Sequence, residues 1–135
     1  SGFCSEFEDL TSNTPRIVEA TYDYASSLDK IREILADKNR PEAVFCATDN
    51  LAMAVMDIAR IECGLSIPQD LQVIGFDNIP QTEWLSYQLT TFRQDFRRLA
   101  RECVKIIVDQ INTKNGSLVK MMVPVKLIER QTTKA

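Results

Sequence analysis

Residues 73–78 read Val-Ile-Gly-Phe-Asp-Asn, an unbroken apolar run that ends in an aspartate. Residues 45–50 read Phe-Cys-Ala-Thr-Asp-Asn and pass from apolar to acidic in the same way. Short apolar runs bounded by turn residues are typical of buried strands, and open α/β sheets bind small ligands beyond the carboxyl ends of their strands. The two stretches therefore predict two buried strands whose ends, Asp49 and Asp77, line a ligand pocket.

Working outward from these stretches, strands and helices are expected to alternate. We predict a short strand at residues 16–20 and then a helix, with Ser26 and Asp29 as its capping pair. A strand at 43–47 precedes a second helix, which Gly64 ends, and strand 71–76 follows. This order predicts an α/β fold with a parallel sheet.

The last third of the chain contains one long helix and one closing strand. Residues 89–92 form a short β-like stretch, and apolar residues recur at helical spacing from about residue 95 to residue 112. Residues 122–128 then alternate as a strand, in which Pro124 favours an edge position because proline cannot donate to a neighbouring strand.

Composition excludes several classes of function. The 135 residues, 44 % of them hydrophobic, are enough for one domain or part of one. A net charge of −3 disfavours binding of a phosphate backbone by these residues themselves. The absence of histidine excludes histidine-based triads and the usual zinc sites, so we predict no catalytic residue and no metal or other cofactor.

Compartment is predicted from the cysteines and the apolar runs. Cys4, Cys46, Cys63 and Cys103 are widely spaced, which favours reduced thiols and a cytoplasmic protein. No apolar run approaches the roughly 20 residues that a membrane helix needs. The first residues lack the pattern of a signal peptide and include no initiator Met, so we expect the chain to be a segment of a longer protein.

Three residues at the predicted strand ends are candidate ligand contacts. Asp77 directly follows an apolar strand, and an ionised carboxylate accepts paired hydrogen bonds from the vicinal hydroxyls of a sugar. Asp49 has a second interpretation as the N-cap of the following helix. Tyr22 follows the first strand and offers an aromatic face to a sugar ring.

Two further groups of residues have other interpretations. Trp84, Leu85 and Tyr87 are large residues in a polar segment, a pattern that favours a subunit interface over a pocket. Arg93, Arg97 and Arg101 recur every four residues, which is typical of a solvated helix face. Paired catalytic carboxylates, as in a glycosidase, are a distant alternative because no acid/base separation can be read from the sequence.

Four blocks, in order, resemble the LacI/GalR family of bacterial transcription regulators. They are residues 41–54, 64–78, 89–96 and 124–133, so the resemblance spans nearly the whole chain. It implies the carboxyl-terminal half of the effector-binding region, with a periplasmic-binding-protein-like (type I) subdomain flanked by helices. The operator-binding head would lie outside these residues.

The resemblance also implies roles for single residues. It places Asp77 at the family's effector-binding aspartate and Tyr22 at its ring-stacking position. Thr48 stands where an effector-contacting asparagine is frequent, and a hydroxyl there offers one donor where an amide offers two. Trp84 and Leu85 match a segment that pairs subunits in family dimers.

Domain boundaries follow from the same resemblance. Residues 1–91 would form the carboxyl-terminal subdomain, incomplete at its start, and residues 92–123 would cross to the amino-terminal subdomain. Residues 124–135 would return as a closing strand and tail. The expected function is effector binding, with a sugar as the expected effector, and homodimerisation in a repressor; the alternative is a periplasmic sugar-binding protein of a transporter.

Overall fold

Helices and strands alternate from residue 24 to residue 93. The computed structural model describes residues 2–114 and 116–134. The helices are α1 (Gly2–Thr11), α2 (Tyr24–Ala36), α3 (Asp49–Asp57) and α4 (Phe96–Thr113), and the strands are β1 (Ala43–Phe45), β2 (Gln72–Phe76), β3 (Thr90–Arg93) and β4 (Lys126–Ile128). A π-helical turn (Ile58–Glu62) continues α3, and a 3-10 turn (Pro80–Glu83) follows β2.

The four strands form one sheet in the order β1-β2-β3-β4. β1 and β3 are both parallel to β2, and β4 is antiparallel to β3. The predicted α/β fold with a parallel sheet is confirmed, and the closing strand is present but shorter than the predicted residues 122–128. Beyond β4, the Thr132 hydroxyl donates to Val73 O and accepts from Thr90 N, so the tail joins β2 to β3.

The core lies between the sheet and helices α2 and α3. Its buried apolar side chains come from α2, from α3 with its π-helical turn, and from the strands and their flanks; they include Ile31, Leu35, Met56, Ile58, Leu71, Val73 and Leu89. Burial of one such side chain contributes roughly 1.5–3 kcal/mol. This packing holds the start of α3 against the carboxyl ends of β2 and β3.

The prediction of a strand at residues 16–20 is wrong, since these residues have no regular secondary structure. Ile17 is 72 % exposed, and the sheet ends at β1 within the described residues. An extended, β-branched stretch becomes a strand only where it finds a pairing partner, which an apolar pattern does not reveal. Helix α1 was not predicted, although Phe3, Phe7 and Leu10 have the i, i+4, i+7 spacing of a helix face.

Both predicted helix starts are corrected by one to three residues. Asp23, rather than Ser26 with Asp29, caps α2, and its carboxylate accepts from Ser26 N at 2.9 Å. Thr48, rather than Asp49, caps α3, and its hydroxyl accepts from Leu51 N at 3.3 Å. In each case the capping residue is the last one with extended backbone angles, as the capping geometry requires.

Helix α4 differs from α2 and α3 because none of its residues is buried. Its apolar side chains face outward, with Val104 59 %, Ile107 56 % and Ile111 69 % exposed. Among residues 2–114 and 116–134, no helix combines the length and apolar character needed to cross a membrane.

Candidate functional site

Polar side chains follow three neighbouring parallel strands at the edge of the sheet where the strands end. Thr48 lies just beyond β1, Asp77 directly follows β2 and Gln94 directly follows β3. Because β1, β2 and β3 run in the same direction, their carboxyl ends meet at one edge. This edge is where open α/β sheets bind ligands.

Asp77 is held at this edge by two hydrogen bonds, one with β3 and one with the residue that follows β3. Its backbone N–H donates to Phe92 O at 2.9 Å, and the Gln94 amide donates from Nε2 to Asp77 Oδ1 at 3.0 Å. Sequence reasoning did not select Gln94. Its position directly after the third strand could have identified it, because Asp77 was selected for its position directly after a strand.

Asp49 lies beneath the edge and is fully buried. The Thr91 hydroxyl donates to Asp49 Oδ1 at 2.5 Å, and the Ile79 backbone N–H donates to Oδ2 at 2.9 Å. Both oxygens therefore bind protein groups, one on β3 and one in the turn after β2. The carboxylate joins three segments of the site from below.

The thiol next to this carboxylate is inert. Cys46 is buried beyond β1, and burial, with a smaller contribution from the negative charge of Asp49, raises the pKa of its thiol to about 12. A thiol that stays protonated is a poor nucleophile and a poor metal ligand. Within the described residues no group of three or more potential metal ligands is present.

Tyr22 lies in the loop before α2, and its ring is 72 % exposed. In the part of the chain that the structure describes, its side chain makes no hydrogen bond or ring contact, so neither kind of interaction joins it to Asp77. Residues on both sides of Tyr22 are more constrained. A hydrogen bond from Ser26 N lowers the pKa of Asp23, and the hydroxyls of Thr21 and Ser26 lie 2.5 Å apart.

A row of phenylalanine rings crosses the same edge of the sheet. Phe3 of α1 stacks on Phe45 at 5.0 Å between centroids, Phe45 meets Phe92 edge-on at 6.2 Å, and Phe92 lies 6.1 Å from Phe76. Such pairs contribute about 0.5–1.5 kcal/mol each beyond their burial. The edge thus combines an apolar aromatic surface with the polar groups of Asp77 and Gln94.

The edge is open rather than enclosed. Gln94 also borders a cavity of about 150 Å³ between the start of α4 and residues 121–125. A larger hollow of about 400 Å³, lined by charged and amide side chains, lies at the opposite end of the strands around Arg40, Asp70 and Lys134.

The three residues predicted at a subunit interface differ in exposure. Leu85 is 96 % exposed and Trp84 57 %, whereas Tyr87 is partly buried. The rings of Trp84 and Tyr87 lie 6.5 Å apart, and the Tyr87 hydroxyl donates to Asp57 Oδ2 at 3.0 Å. Trp84 and Leu85 are therefore available to a partner, and Tyr87 anchors their segment to α3.

Comparison with known proteins finds relatives across almost the whole chain. Residues 3–133 match the family model described as a periplasmic binding protein-like domain. The HTH-type transcriptional repressor PurR of Pectobacterium atrosepticum is 35 % identical over 124 residues, which are 92 % of this chain and 36 % of the relative. PurR of Yersinia enterocolitica is 34 % identical over 133 residues, or 97 % of this chain and 39 % of the relative.

Solved structures give the same result at lower identity. The lac repressor dimer bound to operator and the anti-inducer ONPF superposes with a TM-score of 0.80 at 26 % identity, covering 97 % of this chain and 46 % of that one. A LacI family regulator from Enterococcus faecium with bound ribose gives 0.74 at 25 %, covering 96 % and 48 %.

The extent of these matches defines what part of a regulator the chain represents. It spans a little over a third of the length of the curated relatives cited and about half of the solved chains. Since the family model covers nearly all of it, the chain belongs to the periplasmic binding protein-like domain family, and it matches the carboxyl-terminal effector-binding region of LacI-type repressors.

Proposed function

We propose that the chain is the effector-binding and dimerisation region of a cytoplasmic, LacI-type DNA-binding transcriptional repressor. The observation that carries this proposal is the edge of the parallel sheet at which Thr48, Asp77 and Gln94 follow three adjacent strands. In this proposal the chain catalyses no reaction and requires no cofactor. Operator DNA is bound by a head domain outside these 135 residues.

The chemistry of the edge favours a polyhydroxylated effector, with a sugar as the class. The Asp77 carboxylate can accept hydrogen bonds from two neighbouring hydroxyls. The Gln94 amide, one of whose N–H groups binds Asp77, supplies one further donor and one acceptor. The nearby phenylalanine rings and Tyr22 offer apolar faces to a sugar ring. The ribose bound to the Enterococcus faecium regulator supports this class.

Thr48 and Asp49 have separate roles in the proposal. The Thr48 hydroxyl contacts the effector at the start of α3, where the helix terminus favours hydroxyl and anionic groups. Asp49 acts from below, because its buried carboxylate ties the turn at Ile79 to Thr91. Of the four residues predicted from sequence, Asp49 is therefore the one that shapes the site instead of touching the ligand.

The mechanism is a shift between two populations. The open edge forms one wall of a cleft, and the opposing wall is an amino-terminal subdomain to which α4 belongs. An effector that binds both walls favours the closed arrangement. The size of this shift is limited by the difference between the effector's affinities for the closed and open states, and the shift changes the affinity of the protein for operator DNA. The relatives that are named repressors favour this role over that of a transport protein.

Dimerisation is proposed through the segment that carries Trp84 and Leu85. Exposed aromatic side chains such as that of Trp84 are enriched at the centres of subunit interfaces. The exposed Leu85 beside it extends the apolar surface. The lac repressor structure with a similar fold is itself a dimer, which supports the same arrangement here.

The effector is identified first by thermal shift on the full-length protein. A panel of monosaccharides, disaccharides and nucleobases is tested, with ribose included. A compound present at about 100 times its Kd stabilises the folded state by roughly 2.7 kcal/mol, which gives a measurable rise in Tm.

The role of Asp77 is tested by Asp77→Asn in the full-length protein. We expect affinity for the panel compound to fall roughly 100-fold, because hydrogen bonds to a charged acceptor contribute about 1.5–3 kcal/mol each. Isothermal titration calorimetry measures the affinity, and fluorescence anisotropy of a labelled operator should show unchanged DNA binding. Asp109→Asn, an exposed carboxylate on α4, is the matched control; an unchanged effector response in Asp77→Asn would reject the assignment.

A further inference from the structure

Two successive residues at the proposed site adopt backbone angles that L-amino acids avoid. Asp77 has φ of 117° and Asn78 has φ of 54°, and neither is glycine. Asparagine enters the left-handed region with modest strain, whereas the Asp77 angle lies outside that region. Such residues persist only where surrounding groups hold them, and they concentrate at ligand sites.

The turn is held on three sides. Gln94 and Phe92 bind Asp77, and Asp49 accepts a hydrogen bond from Ile79 N on the far side of Asn78. The Asn78 side chain itself is bound by Arg130, whose Nη2 donates to Asn78 Oδ1 at 2.9 Å. Arg130 lies 52 positions further along the chain, between β4 and the tail.

The Arg130 guanidinium is well placed for this task because it is itself fixed. Its side chain is 10 % exposed, and Nη1 donates to Leu89 O at 2.7 Å. Its backbone N–H donates to the Thr90 hydroxyl at 3.0 Å. The ion pair with Glu83 at 3.2 Å adds little, because the Glu83 side chain is 69 % exposed.

We propose that Arg130 is a positioning residue for effector binding, and that its hydrogen bond to Asn78 holds the left-handed turn that presents the Asp77 carboxylate. This inference rests on the proposed role of Asp77. The planar guanidinium reaches Leu89 O and Asn78 Oδ1 at once through two different nitrogens, and a lysine ammonium in the same place lacks this rigid fork. Without the anchor, Asn78 relaxes toward negative φ and carries Asp77 with it.

The variant that tests the anchor is Arg130→Lys in the full-length protein. The panel compound that raises the Tm most is the probe, and its affinity is measured by calorimetry. We expect about a 10-fold loss of affinity, equivalent to about 1.4 kcal/mol. Arg101→Lys, the same exchange at an exposed position of α4, is the control and should bind the probe as the unaltered protein does.

A second substitution separates positioning from general stabilisation. Glycine adopts positive φ without steric cost, so Asn78→Gly makes the turn independent of its anchor. Two proteins that carry Asn78→Gly are compared, one with Arg130 and one with Arg130→Lys. We expect their affinities for the probe to agree within about threefold, whereas Arg130→Lys alone costs about 10-fold. A double-mutant cycle measures this coupling between the two positions. If Arg130→Lys still costs about 10-fold in affinity when Asn78 is replaced by glycine, the proposal is overturned.

A crystal structure of Arg130→Lys tests the same inference without a ligand. We expect Asn78 to have lost its positive φ, and an unchanged turn would also overturn the proposal. The proposed function fails separately, if Asp77→Asn binds the probe with full affinity. The backbone geometry of the Arg130 variant tests the anchoring of the turn whichever result Asp77→Asn gives.

Discussion

Gly75 and Asp49 meet at one point beneath the carboxyl edge of the sheet. A Cβ atom on Gly75 would lie 2.2 Å from Asp49 Oδ1 and 3.0 Å from a methyl group of Leu89. Real Cβ atoms do not approach a carboxylate oxygen so closely. The glycine in the middle of β2 is therefore explained by close packing against the buried carboxylate, as glycine within a strand frequently is.

The substitution Gly75→Ala is expected to destabilise the folded protein by about 1–3 kcal/mol, the range for an overpacked core. The added methyl group must displace the Asp49 carboxylate and so strain its hydrogen bond from Thr91. Urea unfolding of the full-length protein measures the effect. Gly2→Ala is the control, since no atom lies within 4 Å of its added Cβ, and equal stability of the two variants would contradict this account.

At the level of elements, the last residue of α3 joins the first turn of α2 to the segment that carries Trp84. The Asp57 carboxylate accepts from the Tyr24 hydroxyl at 2.8 Å and from the Tyr87 hydroxyl at 3.0 Å. Hydrogen bonding to Asp57, with burial, raises the pKa of Tyr24 from its ordinary value of 10.0 to about 12. Burial, with the bond to Asp57, also raises the pKa of Tyr87.

These hydrogen bonds predict a loss of stability in alkali. A pKa that is raised in the folded state favours the protonated phenol, so the stabilisation is complete below pH 10 and is lost as the pH rises toward 12. Cys46 contributes a loss in the same direction, because its thiol also has a raised pKa of about 12.

The substitution Tyr24→Phe isolates the share of this alkaline loss that belongs to Tyr24. The free energy of unfolding is measured with urea at several pH values between 9 and 12 in the full-length protein, and we expect a shallower decline in the variant. Tyr22→Phe, whose hydroxyl has no hydrogen bond within the described residues, should decline as the unaltered protein does. Identical slopes for Tyr24→Phe and the unaltered protein would exclude the Asp57 bond as the cause.

For the molecule as a whole, α4 stands out because its apolar face is exposed to solvent. Its side chains include Val104, Ile107, Val108 and Ile111, each at least 46 % exposed. Leaving such a face in water costs about 25 cal/mol per Å², or several kcal/mol in total. We propose that in the full-length protein the amino-terminal subdomain covers it.

The 135 residues expressed by themselves are therefore expected to self-associate through α4. Sedimentation velocity ultracentrifugation should show concentration-dependent oligomers, and Ile107→Glu should reduce them by placing a charge on the apolar face. Thr113→Glu places the same residue on the opposite face of the helix, at an exposed position, and should have little effect. A compact monomer at all concentrations would show that intermolecular cover is not needed.

The sequence alone was sufficient for the fold class and for the family. Apolar runs that end in Asp or Asn predicted the parallel strands, and helical spacing predicted α2, α3 and α4, because these patterns depend on burial of one face over several residues. The choice of Asp77 as a candidate followed from its position after a strand. Effector binding by Asp77, Tyr22 and Thr48 is still a prediction.

Only the tertiary structure decided what each polar group at the sheet edge can reach. Asp49 and Asp77 look equivalent along the chain, yet one is buried against Thr91 and Ile79 while the other lies beside Gln94. Arg130 and Asn78 meet although 52 positions separate them, and residues 16–20 lack the pairing partner that a strand requires. Local patterns record which side chains avoid water, whereas hydrogen-bond partners depend on contacts between segments that only the folded chain brings together.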